Sequence, residues 1–236
     1  MRPLAFALLL AALPLPSSFA QEPKPGIPTA PYRDVTIEDW PVRVSERLLA
    51  DSPKATQKAL DLLAAQIVRL REALPATAFE KVRRVRIWFS PPYPGFGPSG
   101  EYHPSAGWLR RNGRPEGLHR CIEFTNVKRF EAEIERMPVL LLHEVAHAYH
   151  DQQLGFDHPE IVEAYERAKA GAKYERVERH DGAVVKHYAL TNPMEYFAEL
   201  SEAYFGVNDF FPFNREQLEA YDPKMFALLK RVWNTP

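Results

Sequence analysis

The spacing of apolar residues along the chain predicts a long amphipathic helix in the first half. Between Ser52 and Leu74, apolar side chains recur every three or four residues, after a serine at the N-cap position and a proline at the first helical position. Such a helix buries one face against a core. The same kind of pattern predicts further helices at 138–153, 159–170 and 193–205, and two short helices within 214–234.

Strands are predicted where β-branched and aromatic residues alternate with polar ones. This pattern occurs at 82–89, and shorter strand pieces are predicted at 108–109 and 120–125. Residues 174–177 and 183–188 predict a hairpin around a His-Asp-Gly turn. The order of these elements predicts an α+β fold, with a small sheet packed on the helix at 138–153.

The N-terminal region predicts export. Residues 1–20 contain Arg2, an apolar stretch and the small residues Ser18 and Ala20, which together are typical of a secretory signal peptide cleaved near Ala20. The apolar stretch is shorter than the ~20 residues of a membrane span, so no stable membrane association is expected. Residues 21–42 hold five prolines and predict an extended linker, which leaves 43–236 as one domain.

Composition excludes some partners. The formal net charge of -1 provides no positive surface for nucleic acid, and the basic run at Arg110, Arg111 and Arg114 is expected to be a solvated loop. Cys121 is the only cysteine, so no internal disulfide can form. Because Cys121 lies in the predicted strand at 120–125, beside Ile122 and Phe124, we expect it to be buried and chemically inert.

One motif contains residues that can bind a metal ion and transfer a proton. His143 and His147 are separated by four residues on the predicted helix at 138–153, so both imidazoles can reach one tetrahedral metal ion. Glu144 projects beside them, where a carboxylate can take a proton from a water molecule next to the metal. The alternative is a core helix whose histidines are simply hydrogen-bonded. His150 lies about 10 Å further along the axis, too far to bind the same ion unless the helix breaks. It is expected to line the substrate cleft, to contact a ligand residue from behind, or to be exposed.

A catalytic zinc ion requires a third protein ligand, with one position left open. Glu195 and Glu199 lie four residues apart on the helix at 193–205, so one can bind the metal while the other orients a ligating histidine. Spacing alone does not choose between them. For Glu202, a solvated helix face is expected. His187 and Tyr188 are expected to point to opposite faces of a strand, so that only one of them serves the site.

The His-Glu-x-x-His motif and the later segment that contains Glu195 and Glu199 together resemble a known family. After His-Glu-x-x-His, the chain continues some fifty residues later with a pattern that resembles the gluzincin metallopeptidases, most closely the catalytic domain of the anthrax lethal factor type. That pattern consists of Tyr188, Thr191, Asn192, Glu195, Tyr196, Phe197, Ala198 and Glu199. The resemblance covers residues 138–205.

The resemblance implies a zincin-like domain that holds one zinc ion on His143, His147 and Glu195. It implies Glu144 as the general base, Tyr188 as the hydroxyl that stabilises the oxyanion, and Glu199 as the acceptor that orients a ligating histidine. The expected protein is therefore a secreted or periplasmic zinc metallopeptidase. It would act on a peptide or protein substrate that adds as a strand along 120–125.

Two alternatives remain at the sequence level. The first is a noncatalytic exported zinc-binding domain, against which the presence of Glu144 argues, because a structural zinc site needs no general base. The second is a hydrolase of nonprotein amide bonds, such as those of cell walls, which differs only in substrate.

Overall fold

The structure, a computed structural model, describes residues 31–234. The predicted signal peptide at 1–20 and the start of the predicted linker lie outside the described residues. Within the described range the fold is α+β, as the pattern of elements predicts: a five-stranded mixed sheet and a two-stranded hairpin pack among α-helices.

The main sheet has parallel strands at its centre and antiparallel strands at both edges. The strand order is β1-β2-β3-β5-β4, in which β2, β3 and β5 run parallel. The strand β1 pairs antiparallel with β2, and β4 pairs antiparallel with β5. Their bounds are β1 Tyr32–Ile37, β2 Trp40–Ser45, β3 Ile87–Phe89, β4 Gly100–Tyr102 and β5 Ile122–Phe124.

The linker prediction is wrong for residues 32–42, which form β1, a two-residue turn and the first half of β2. Trp40, Val42 and Val44 alternate along β2 and are fully buried, and Trp40 Nε1 donates a hydrogen bond of 2.6 Å to the carbonyl of Val85. Although this region is rich in proline, apolar residues stand at every second position of β2, and they bury one face of the strand. The folded domain therefore includes residues that the sequence assigns to the linker.

Ten α-helices occur in the described range. The long amphipathic helix is confirmed as α2, and the helices predicted at 159–170 and 193–205 are confirmed as α7 and α8. The bounds are α1 Glu46–Asp51, α2 Pro53–Ala73, α3 Ala76–Val82, α4 Ala106–Arg111, α5 Phe130–Arg136, α6 Leu140–Tyr149, α7 Pro159–Ala170, α8 Pro193–Phe205, α9 Arg215–Tyr221 and α10 Pro223–Val232. The helix α6 continues as a π-helical turn, His150–Leu154.

Several strand predictions are wrong. Residue 82 ends α3, so the strand predicted at 82–89 is reduced to β3, and residues 108–109 belong to α4. The hairpin consists only of β6 Val177–Glu178 and β7 Val184–Val185, and Tyr188 lies in a separate 3-10 turn, Tyr188–Leu190. The side chain of Ser105 accepts a hydrogen bond from the amide of Trp108 and so starts a helix at the predicted strand 108–109.

The helices α6 and α8 pack against each other at the centre of the domain. The helix α6 also contacts α2 and β4, so the sheet edge lies beside the motif-bearing helix. The aromatic rings of Tyr149, Phe197 and Trp233 stack where the two helices meet α10. None of the helices within residues 31–234 combines the length and apolar character needed to cross a bilayer.

Candidate metal centre

The first two candidate ligands come from α6, whose residues are nearly all buried. His143 and His147 lie one helical turn apart, and their Nε2 atoms approach to 3.1 Å. The two rings stand almost perpendicular, with centroids 4.7 Å apart. Both Nε2 atoms therefore face one point outside the helix, as the four-residue spacing predicts.

The third candidate ligand comes from the first turn of α8. Pro193 occupies the start of that helix, and the side chain of Asn192 accepts hydrogen bonds of 2.9 Å from the amides of Met194 and Glu195. This cap fixes where the helix begins. It directs the carboxylate of Glu195 at the imidazoles, with Oε2 at 3.3 Å from Nε2 of both His143 and His147.

The resulting donor set fits a zinc ion. One ligand atom each from His143, His147 and Glu195 lie within 4.8 Å of one another. In an ideal tetrahedral zinc site, with bonds of about 2.0–2.1 Å, neighbouring ligand atoms lie about 3.3 Å apart. The observed separations are 3.1, 3.3 and 3.3 Å. Glu195 Oε2 is also buried without a hydrogen-bond partner, which a cation between the three residues would supply.

The orientation of His143 depends on Glu202, a residue expected on a solvated helix face. Glu202 is completely buried, and its Oε1 lies 2.6 Å from His143 Nδ1. Glu199, the predicted acceptor, lies 3.9 Å from the same nitrogen. The solvent-exposed assignment of Glu202 is therefore wrong. Glu195, Glu199 and Glu202 follow an i, i+4, i+7 spacing, and that spacing is the sequence signal for a shared helix face.

The site concentrates buried acidic groups around the imidazoles. Burial alone would lower the pKa of His143, but the neighbouring carboxylates of Glu195 and Glu202 raise it well above its ordinary value. Burial would raise the pKa of Glu195, but the neighbouring imidazoles lower it. Burial raises the pKa of Glu199 and brings the pKa of Glu202 to about 7. A divalent cation would offset this surplus of carboxylates.

Glu144 lies between α6 and the edge strand β4. Its Oε2 accepts a hydrogen bond of 2.7 Å from the backbone amide of Tyr102, and the side chain is almost fully buried. A Cβ atom added to Gly100 would approach Phe124 to 2.8 Å and Glu144 Oε1 to 3.5 Å. Glycine at position 100 thus allows β4 to pack closely against the ring of Phe124, next to the carboxylate.

The predicted substrate strand along 120–125 is wrong, because β5 lies inside the sheet between β3 and β4. The edge facing the site is β4. Backbone groups of Ser99 and His103 bond to the β5 side, whereas the amide of Tyr102 turns away from β5 and reaches Glu144. Alternate residues of β4 therefore present their backbone groups toward the site.

Tyr188 stands beside the candidate ligands and is 49% exposed. The Thr191 hydroxyl donates a hydrogen bond of 2.7 Å to the carbonyl of Tyr188 and closes the 3-10 turn. Partial burial raises the pKa of the Tyr188 hydroxyl, and the carboxylate of Glu195 adds to this effect. Tyr188, His143 and Glu144 line one cleft of about 390 Å³.

Two other histidines lie where the sequence does not predict them. His150 is fully buried between the rings of Phe156 and Phe197, so it does not line the cleft. His187 is also buried, with its Nδ1 3.7 Å from Glu199 Oε2. The prediction that His187 and Tyr188 point to opposite faces of a strand is wrong, because Tyr188 lies in a 3-10 turn.

A buried polar network supports β4 from the opposite face of the sheet. Arg114 donates to Glu101 at 2.6 Å and to Glu123 at 3.2 Å, and Glu123 also contacts His103 at 3.0 Å. The prediction of a solvated loop is therefore wrong for Arg114. Cys121 is buried, as predicted, and burial raises the pKa of its thiol.

A scan against protein-family models, a search of curated proteins and a search of solved structures each found no match to this chain. The resemblance to the gluzincin metallopeptidases therefore stays a prediction based on residues 138–205.

Proposed function

We propose that this protein is a zinc-dependent metallopeptidase with a zincin-like fold. One zinc ion would bind His143 Nε2, His147 Nε2 and a carboxylate oxygen of Glu195. The observation that carries the proposal is the convergence of these three ligand atoms within 4.8 Å from two different helices, with Glu144 beside them. Two imidazoles and one carboxylate form a donor set of the kind used in catalytic zinc sites.

The bound ion would polarise the scissile carbonyl and lower the pKa of a water molecule. Glu144 takes the proton from the attacking water and returns it to the departing amine. The backbone amide of Tyr102 holds the Glu144 carboxylate at the wall of the cleft, between α6 and β4. The half-exposed Tyr188 hydroxyl donates a hydrogen bond to the oxyanion that develops on the substrate.

The substrate would lie along the outer edge of β4. An extended peptide can pair with an exposed sheet edge, and β4 is the edge strand closest to α6. The outward-facing backbone groups for such pairing are those of Gly100 and the carbonyl of Tyr102, because the Tyr102 amide already donates to Glu144. A peptide added there would pass next to Glu144, which favours a peptide substrate.

The test combines zinc content with hydrolysis of a peptide library by the wild-type protein and the Glu144→Gln variant. We expect about one zinc ion per chain in both proteins, and cleavage by the wild type alone. Removal of a general base typically reduces the rate by about 10²–10⁴-fold. The matched variant Glu163→Gln changes a solvent-exposed carboxylate on α7 and leaves the cleft and the base intact.

Each outcome distinguishes one alternative. Full zinc occupancy without cleavage in either protein would favour a noncatalytic zinc-binding domain. Cleavage of cell-wall amides, with peptides left intact, would favour a hydrolase of nonprotein substrates. Cleavage that persists at the wild-type rate in Glu144→Gln would contradict the role of Glu144. We also propose that the protein is exported, because residues 1–20 have the pattern of a signal peptide.

A further inference from the structure

The cleft that contains His143 and Glu144 has a charged wall formed by α5 and the loop after α8. Arg136 donates a hydrogen bond of 2.8 Å from Nη1 to Asp209 Oδ2, and one of 3.0 Å from Nη2 to Glu133 Oε2. Two carboxylates therefore surround one guanidinium. Because the single positive charge of Arg136 faces two carboxylates, one negative charge of the wall is left uncompensated.

Three acceptors along the same cleft have no hydrogen-bond donor. Asn126 Oδ1, Glu199 Oε2 and Asp209 Oδ1 are buried without a hydrogen-bond partner, and their residues are 3%, 1% and 2% exposed. All three residues line the cleft. A buried acceptor without a donor is unfavourable, because the hydrogen bonds that it would make to water are lost and not replaced. Three of them in one cleft indicate a ligand group that brings several donors and a positive charge.

The residues that line the cleft favour a long basic side chain as the ligand. Met137, Leu140 and Phe210 line the cleft together with the three acceptors, so an aliphatic stem has an apolar surface to cover. Asp209 presents only one free oxygen, because its other oxygen accepts from Arg136. Separate single acceptors suit an ammonium group with three donors better than a guanidinium, which prefers a bidentate partner.

We propose that Asn126, Glu199 and Asp209 form a pocket that binds a lysine side chain of the substrate. We call these three residues the lysine pocket. The inference rests on the proposed function, because the pocket opens into the cleft that holds Glu144. It adds the substrate class: peptides with a lysine close to the scissile bond.

The experiment measures binding without turnover. A lysine is moved one position at a time along a neutral peptide, and each peptide is titrated by calorimetry against zinc-loaded Glu144→Gln. Norleucine and arginine peptides serve as comparisons. At one position we expect lysine to bind about tenfold more tightly than norleucine, with arginine in between, because a hydrogen-bonded charge contributes about that much.

Two variants with opposite expected effects on the affinity ratio distinguish a change in lysine recognition from a general loss of folding. Asp209→Asn, made in the Glu144→Gln protein, should bring the lysine-to-norleucine ratio close to one. Arg136→Gln should raise that ratio, because it removes the competing cation. Asp34→Asn is the matched control, since Asp34 also pairs with an arginine but lies on the opposite edge strand β1, and it should leave the ratio unchanged.

Equal affinity for lysine and norleucine at every position, or no binding of either, would overturn the lysine pocket. A tighter arginine peptide would overturn the choice of an ammonium group. The same peptides are also incubated with the wild-type protein. A lysine preference without cleavage contradicts only the peptidase proposal, whereas cleavage without a preference contradicts only the lysine pocket.

Discussion

At the scale of single residues, the environment of His143 decides whether the site can bind metal. An imidazole binds metal through one nitrogen while the other is held by an acceptor, which fixes the ring and its tautomer. For His143 that acceptor is Glu202, at 2.6 Å from Nδ1, and Glu199 is more than 1 Å further away. The nitrogen that faces Glu195 is therefore the one free to bind an ion.

The Glu202→Gln variant should weaken zinc binding by about 10–100-fold, because the neutral amide is a poorer acceptor for the His143 N–H. Glu199→Gln is the matched variant on the same helix face, and we expect a smaller loss. Zinc affinity is measured by competition with a chelator of known affinity. Equal losses in the two variants, or none in Glu202→Gln, would contradict this role.

His150 should make the protein acid-sensitive. Burial lowers its pKa from 6.5 to about 3, so the folded protein keeps the ring neutral while the unfolded chain binds a proton below pH 6.5. The free energy of unfolding therefore falls as the pH drops from 6.5 toward 3, by about 2 kcal/mol at pH 5. This penalty is absent above pH 6.5.

Urea denaturation at pH 7, 6 and 5 checks this expectation. The His150→Leu variant should lose about 2 kcal/mol less than the wild type between pH 7 and pH 5. His119→Leu changes an exposed histidine and should follow the wild type. Parallel pH profiles for wild type and His150→Leu would show that His150 is not the source of the acid sensitivity.

At the scale of elements, β4 is held from both faces. At its outer edge the amide of Tyr102 contacts Glu144, and on one face the Tyr102 hydroxyl donates to Asp151 at 2.6 Å in the π-helical turn. On the other face the Arg114 network fixes Glu101 and Glu123. A strand of three residues has few ladder hydrogen bonds, so its position depends on these side-chain contacts.

The Arg114→Met variant should therefore destabilise the domain by about 3 kcal/mol, because it leaves the buried Glu123 carboxylate with fewer partners. Arg47→Met breaks a solvent-exposed pair with Asp51 and should cost under about 1 kcal/mol. Chemical denaturation of both variants compares the two losses. Equal effects would mean that the buried network adds nothing to the stability of β4.

Elements with strong local signals could be predicted from the sequence. The helix α2 has an apolar period, a proline at its start and a proline after its end, and α8 has the Asn192-Pro193 start. Short strands could not be predicted so well. The three residues of β3 are defined by pairing with β2 and β5, which come from distant parts of the chain.

The candidate ligands could be predicted for a similar reason. His143, Glu144 and His147 share one helix, so local geometry alone brings them together. The choice of Glu195, and the burial of Glu202, depend on how α8 packs against α6. Helical spacing places Glu195, Glu199 and Glu202 on one face, but it does not reveal which face another helix covers.

At the scale of the whole molecule, the candidate site joins α6 to α8 near the centre of the domain. The two helices bring His143 and Glu195 together from positions 52 residues apart in the chain. The chain has a single cysteine and so forms no internal disulfide. A metal ion bound by both helices would therefore be the main cross-link, and its binding free energy would add to the stability of the fold.

Zinc K-edge X-ray absorption spectroscopy of the zinc-loaded wild-type protein tests the central claim most directly. The account predicts four ligands at about 2.0–2.1 Å, with the scattering pattern of two imidazoles and with oxygen for the remainder. A sulfur ligand at about 2.3 Å, or an all-oxygen shell without imidazole, would contradict it.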